Sequence, residues 1–374
     1  MIKIKINYYL HCFFLLYIIV ILSQLVIIKC GSKEKDNSNN NKDSTKKKIT
    51  PINIAFCLTG QLARLELSSK IQNIFIPNAK LGHQVHLFIL LDDEVDHVKQ
   101  TFWKYDYSDS PFLHYDADRM RSYLKKKIEA TGMQDNIKYK IRLEPPIQSH
   151  YQIVGNVIPV ADKIIKRPNP KMGGEMPEGG IEPAAVRFQN NMRWLGGLRD
   201  CVKWVQQSEY EQRIFYDLVV RLRDDTFAFG KWILSFEKFG NALTSARTGS
   251  FRGVNDHNFV VDRQYADILF RGLTEDYYFN KTLANEPWGN PEHRIYMLAT
   301  ANGIKVQNQT VCEEPLIPLR GKYNSSHWLL HASYASKFTD ECNDPHTIIN
   351  DQCICDKKWI KLFQNGVVAV DLVG

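Results

Sequence analysis

Tyr216–Phe227 reads YDLVVRLRDDTF. An aromatic-flanked apolar run, Leu218–Leu222, leads into the adjacent carboxylates Asp224 and Asp225, with Arg221 and Arg223 at alternate positions. The period of two in a strand puts both arginines on one side. Ligands of open α/β sheets gather beyond the carboxyl ends of the strands, so this strand would bring two acids and two cations to that edge. Carboxylate oxygens suit a hard divalent cation, Mg2+ or Mn2+, and Asp225 is the position read as its ligand. The guanidiniums of Arg221 and Arg223 suit a diphosphate or partner carboxylates, with Asp224 beside them. The competing interpretation is a strand end whose acids pair with its own arginines.

The stretches upstream alternate between the two periods. Ile52–Leu58 (INIAFCL) and Val85–Leu91 (VHLFILL) are short apolar runs that predict buried strands. Between them, Thr59-Gly60 predicts a turn and Leu62–Ile76 a helix stopped by Pro77. A charged helix is expected after Asp92-Asp93-Glu94 to about Lys104, and a second over Ala117–Thr131. Ile137–Leu143 alternates apolar and basic residues, as a half-exposed strand does. In Ala184–Ser208 the residues Phe188, Met192, Leu195, Leu198, Val202 and Val205 recur at steps of three and four, one buried helical stripe. Strand, helix, strand, helix, strand is the order of an α/β fold with a mainly parallel, Rossmann-like sheet and helices on both faces. Further on, strands are predicted at Asn258–Val261 and Ile304–Val306, and helices at Arg263–Leu273 and Pro291–Asn302. Residues 145–183 hold seven prolines and read as a loop insertion, either a lid or a tolerated surface excursion. The last sixty residues read as irregular and cysteine-rich.

The N-terminus has a different composition. Tyr8–Ile28 is 21 residues without Asp, Glu, Lys or Arg. About 20 apolar residues span a bilayer as a helix, and no small-residue cleavage site follows, so an uncleaved signal-anchor is expected. Gly31–Thr50 is polar and of low complexity, the composition of a flexible stem. The expected organisation is therefore a tail (1–7), an anchor (8–28), a stem (29–50), a catalytic domain (51–310) and an extension (311–374). Nine lysines against three acids in the first fifty residues account for +6 of the net charge of +7, leaving 39 basic and 38 acidic residues beyond. A near-neutral domain lacks the footprint of a nucleic-acid binder.

Lysines flank the anchor on both sides, so charge alone leaves its orientation open. The sequons at Asn280, Asn308 and Asn324 and the cysteines at 57, 201, 312, 342, 353 and 355 favour an oxidising lumen. A single-pass type II protein of the Golgi or ER membrane is the expectation, with secretion or display at the cell surface as the alternative.

Other positions could carry chemistry. Gly60, Gln61 and Arg64 follow the first strand, where backbone amides and a cation can meet a nucleotide. Asp256 precedes a strand and could serve as a general base, bind substrate hydroxyls or cap a turn. Glu292 lies in the first turn of a helix, where it either complements the dipole or meets an acceptor. Asp92-Asp93 forms a rival acid pair. His327 and His331 have metal-ligand spacing if helical, but lack the glutamate of a zinc protease.

Taken together, IAFCLTGQLAR (54–64), YDLVVRLRDD (216–225), VNDHNFVVDRQYADILF (254–270) and NPEHRIYMLATANGIKV (290–306) resemble a loosely defined group of GT-A-like glycosyltransferases. The resemblance implies a lumenal enzyme that moves a sugar from a nucleotide-sugar donor to a glycan or glycoprotein acceptor. Gly60 and Arg64 would touch the nucleotide, Asp225 would hold metal or donor, and Asp256 and Glu292 would lie near the donor sugar and acceptor. The chain departs from the group at Asp224, where the acids are adjacent rather than spaced as Asp-x-Asp, so a site that works without Mn2+ or Mg2+ is the alternative to a metal-dependent one. A non-catalytic binding protein of the same fold, or another phosphate-group transferase, are the alternatives.

Overall fold

The structure is a computed structural model, and it describes residues 49–93, 99–100, 105–108, 110–144, 184–247, 249–250, 253–279, 291–324, 327–330 and 367–369. The expected anchor at 8–28, most of the stem, the insertion at 145–183, Asn280, His331 and the cysteines at 342, 353 and 355 lie outside these residues. No helix among the described residues is long and apolar enough to cross a membrane.

In chain order, β1 (Asn53–Gln61) leads through a tight turn at Leu62–Arg64 into α1. Helix α1 is built of three successive stretches, Ser68–Lys70, Ile71–Phe75 and Ile76–Lys80. Then come β2 (Gln84–Asp92), the short strands β3 (Lys99–Gln100) and β4 (Tyr105–Asp106), α2 (Ala117–Glu129), β5 (Ile137–Leu143) and α3 (Ala184–Gln212). The second half holds β6 (Leu218–Arg223), β7 (Thr226–Ala228), α4 (Phe236–Phe239), β8 (Leu243–Ala246) and β9 (Asn258–Asp262). Helix α5 follows as Arg263–Ala266, Asp267–Arg271 and Gly272–Phe279, then α6 (Pro291–Ala301) and β10 (Val306–Gln309). Strands β11 (Leu316–Asn324), β12 (His327–Leu330) and β13 (Val367–Ala369) complete the described chain.

Seven strands form one sheet in the order β10-β8-β9-β6-β1-β2-β5. Pairing is parallel from β5 through β2 and β1 to β6 and between β8 and β10; β9 alone runs antiparallel to its neighbours β6 and β8. The fold is thus α/β with a mostly parallel mixed sheet. Alternation along the strands sorts the core into two layers. Ile54, Phe56 and Leu58 of β1 face α1 and α2, whereas Ala55 and Cys57 face α3, α5 and α6. Helices therefore cover both faces, which is why β1, β2 and β6 read as nearly unbroken apolar runs. A disulfide between Cys57 and Cys201, with Cα atoms 5.8 Å apart, fastens β1 to α3 across the second layer. Trp194 and Trp204 on α3 are packing residues against that layer, and Lys140 lies over the Trp204 ring at 4.6 Å.

Several boundaries differ from those predicted. Strand β1 does not turn at Thr59-Gly60 but continues to Gln61, paired with β2 up to Asp92. The following helix begins only at Ser68, and Pro77 lies inside it rather than at its end. The wide turn at Ile71–Phe75 precedes this proline, and the Asn73 carbonyl is taken by the Trp232 amide at 2.8 Å. The proline's missing N–H thus leaves no orphan acceptor at that position. Where a charged helix was expected near residue 100, β3 and β4 pair as an antiparallel ribbon. The C-terminal region is not wholly irregular: β13, β12, β11 and β7 form a four-stranded antiparallel sheet. His327 is in a strand, β12, rather than a helix.

Candidate functional site

The sheet has its switch point between β2-β1 and β6. From β1 the chain builds outward through β2 to β5, and from β6 it builds the other way. In open α/β sheets the crevice at such a reversal, beyond the carboxyl ends of the strands, is where ligands bind. The end of β1 brings Gly60 and Gln61 there and the turn after it Arg64, while the end of β6 brings Arg223 with Asp224 and Asp225 just beyond. Because β9 is reversed, its beginning arrives at the same edge, with Asn258 opposite Leu222 and Asp256-His257 just before it. The first turn of α6 adds Glu292, whose carbonyl accepts from the Val254 amide at 3.0 Å. A β-carbon on Gly253 would stand 2.1 Å from that carbonyl, so only glycine lets the Asp256 segment lie this close to α6.

The two acids are held by different arginines. Asp224 is fully buried and forked by Arg64, with Nε to Oδ2 at 2.8 Å and Nη2 to Oδ1 at 3.1 Å. The Gln61 amide donates to the same Oδ2 at 2.9 Å. Asp225 is forked by Arg223 of its own strand, at 2.5 Å and 2.7 Å, and Arg64 Nη1 stands 3.7 Å from its Oδ2. The Asp225 carbonyl accepts from the Leu319 amide at 2.7 Å, which ties β11 to the site. Arg221 is almost wholly buried, and its guanidinium reaches the carbonyls of Thr59 and Asp256 at 3.4 and 3.5 Å.

Behind them Lys70, also buried, donates to the carbonyls of Glu66, Asp224 and Thr226 and pairs with the Glu66 carboxylate at 3.8 Å. Among the charged residues, those left partly open to solvent include Arg64 and Arg223, whose side chains are 18 and 17 % exposed, and Asp256 at 12 %.

Burial and pairing set the charges. Burial opposes the charge on Asp225, but Arg223 and then Arg64 outweigh it and hold the carboxyl well below its usual range. Burial drives Asp224 the other way, upward, against the pull of Arg64. Burial also lowers Arg221 to about 10, with Asp256 opposing. His257 is pushed down to about 4 by burial and then by Arg223, so it is neutral at physiological pH.

Glu292 is raised to about 9, first by burial and then by the facing Asp256. A helix N-terminus favours a carboxylate by about 0.3–1 kcal/mol, less than one pKa unit, so the dipole loses this contest. Glu292 therefore carries a proton at neutral pH and is a donor rather than a base. Asp256 Oδ2 lies 3.9 Å from Arg223, and Oδ1 lies 3.4 Å from His257 Nε2 without a hydrogen bond among the described residues.

Every site residue expected from the sequence and described in the structure, apart from the sequon asparagines, converges on this edge. Their pairing differs from the expectation. The Gln61 amide and Arg64 grip Asp224 in the space that Gly60 leaves, and so act first on the protein's own carboxylate. Asp225 was expected to hold a divalent cation, but both of its oxygens are taken by Arg223. With guanidiniums on both acids and a third beneath, this donor set fits a divalent cation poorly. The rival Asp92 pairs with Arg193 at 3.0 Å, and Asp93 is exposed. Asn308 is exposed on β10, as an acceptor for glycan must be; Asn324 falls in β11.

Sequence reasoning missed Lys70, Glu66 and Tyr107. Tyr107 is buried beside Arg64, and burial raises its hydroxyl far above the ordinary range. Only the apolar ring itself signalled Tyr107, and Lys70 resembled an ordinary surface cation on a helix. No protein-family model matches the chain, and no curated protein is significantly similar to it.

Proposed function

We propose that the protein is a glycosyltransferase that takes a sugar from a nucleotide-sugar donor to a glycan or glycoprotein acceptor. One observation carries the reading: acids and arginines from β1, β6, β9 and α6 converge at the switch point of a mostly parallel sheet. Such a crevice is where this architecture binds phosphorylated ligands, and sugar transfer requires charge stabilisation on a departing diphosphate. Arg64 and Arg223 supply that charge. Asp256 faces a hydroxyl-bearing group as acceptor or base, and protonated Glu292 donates beside it. The GT-A-like form of the fold, the type II anchor and the Golgi or ER location belong to the same proposal, supported by the anchor-stem composition and the core disulfide.

A non-catalytic lumenal binding protein is the second reading, favoured by the complete engagement of Asp224 and Asp225 with arginines. Purified full-length chain should bind at least one member of a nucleotide-sugar panel by thermal shift and hydrolyse or transfer its sugar. Asp225→Asn should abolish turnover while circular dichroism is retained. Absence of both shift and turnover, with or without Mn2+, removes the transferase reading and favours the second.

A further inference from the structure

The guanidiniums of Arg64 and Arg223 flank one oxygen, Oδ2 of Asp225, at 3.7 Å and 2.7 Å. Each spends its Nε and Nη2 donors on one carboxylate, Asp224 for Arg64 and Asp225 for Arg223. What remains is the Nη1 corner of each, only loosely engaged: 3.7 Å from Asp225 Oδ2 for Arg64 and 3.9 Å from Asp256 Oδ2 for Arg223, on the two charged side chains that keep the largest exposure in the cluster. Asp224 and Asp225 are the inner layer and Arg64 and Arg223 the outer one, with Asp256 beside them. An approaching ligand thus meets two adjacent guanidiniums before it meets Asp224 or Asp225, the reverse of a site that presents a pair of strand-end carboxylates to Mg2+ or Mn2+. A cation entering Asp225 would have to displace a bidentate arginine and would sit against Arg64, Arg221 and Arg223. An oxyanion entering from solvent leaves both forks in place and gains charge-assisted hydrogen bonds from the Nη1 corners.

We infer that this site takes the phosphate groups of its ligand directly on Arg64 and Arg223, with no divalent cation between. The inference rests on the transferase reading and narrows it: Arg64 and Arg223 are binding residues that neutralise a diphosphate, and Asp224 and Asp225 are positioning residues that hold them. The forks are what fix the two planar groups; without Asp224 and Asp225, two like charges would not stay side by side at an exposed edge.

The test is calorimetric titration of the purified full-length chain with inorganic pyrophosphate, in EDTA and again with Mn2+. Binding is expected in EDTA, and Mn2+ should change the dissociation constant by less than about threefold. Arg64→Lys and Arg223→Lys keep the charge but lose the fork, and each should weaken pyrophosphate by about tenfold or more while circular dichroism stays unchanged. If those variants fail to fold, the comparison of EDTA with Mn2+ on the unaltered chain still decides. Binding that appears only with Mn2+, or tightens by about tenfold or more, overturns the inference and leaves the transferase reading standing. No pyrophosphate binding in either buffer also overturns it, and the nucleotide-sugar panel then decides separately whether the transferase reading survives.

Discussion

Oδ1 of Asp224 lies 2.1 Å from where a β-carbon on Gly60 would stand. Gly60 has φ of +148°, a conformation that residues with side chains rarely adopt, while its strand stays in register with β2. The glycine is therefore the space in which the buried carboxylate sits, and Gln61 and Arg64 then close on it. Gly60→Ala must move either the strand or Asp224, and overpacking with backbone strain should cost about 2–3 kcal/mol or more. Urea unfolding should show a lower midpoint, and pyrophosphate binding should weaken with it. An unchanged midpoint would mean that the Asp224 pocket is not as tight as the geometry requires.

Arg64 and Asp224 stand 160 residues apart in sequence and form one buried unit. Removing Arg64 leaves a carboxylate in the interior without its main counter-charge, which typically costs about 3–5 kcal/mol. Arg64→Met should therefore destabilise strongly. Arg64→Met combined with Asp224→Leu should recover part of that loss, since an apolar pair replaces a broken ionic one. A double-mutant cycle by chemical denaturation checks this, and additive losses would sink the idea that the two act as a unit. Ligand binding should not return in the double variant, because the fork is gone.

How much of this was legible depends on the distance over which each signal acts. Strand β5 and helix α2 were readable because their periodicity is local: Ile137–Leu143 alternates, and Asp116 caps α2 by accepting from the Arg119 amide at 2.7 Å. The approach of residues 60, 64, 224 and 225 to one edge was expected from strand order, since parallel strands share a carboxyl edge; Asp256 and Glu292 were placed beside them by the resemblance alone, and Asp256 arrives there because β9 runs antiparallel. The partners were not, because nothing local says that Arg64 rather than Arg221 or Arg223 forks Asp224. Helix α1 was misplaced because Pro77 is an apparent stop, and its accommodation depends on Trp232, far along the chain. Strands β7, β12 and β13 are three or four residues long, too short for a period to declare itself. Lys70 shows the limit from the other side: a lysine in a helix promises solvent, and tertiary packing buried it against three carbonyls.

The Cys57–Cys201 disulfide closes a sequence separation of 144 residues between the strand that carries Gly60 and the helix that covers it. In the chain-entropy picture a loop of that length is worth about 5 kcal/mol, an upper figure since both cysteines are buried in a packed layer that persists without the bond. Cys57→Ala with Cys201→Ala should lower the thermal midpoint clearly while leaving the secondary structure intact. Reductant should reproduce that shift in the unaltered chain only after partial unfolding, because both sulfurs lie in residues with no solvent exposure. Identical melting curves with and without the pair would show that β1 and α3 are held by packing alone.

Glu314 is wholly buried between β10 and β11, and neither of its side-chain oxygens has a hydrogen-bond partner among the described residues. Burial raises its carboxyl well above the ordinary 4.5, with Lys238 foremost in opposing it. The native state therefore binds a proton that the unfolded chain releases above about 4.5. Its contribution to stability is complete below that pH and is lost progressively as pH climbs toward the folded value. Glu314→Gln has no proton to lose, so its stability should hold as pH rises while that of the unaltered chain declines. Denaturation at pH 5 and at pH 8 makes the comparison: the variant should gain on the unaltered chain between the two. Curves that stay parallel would show that Glu314 is solvated or paired in the native state.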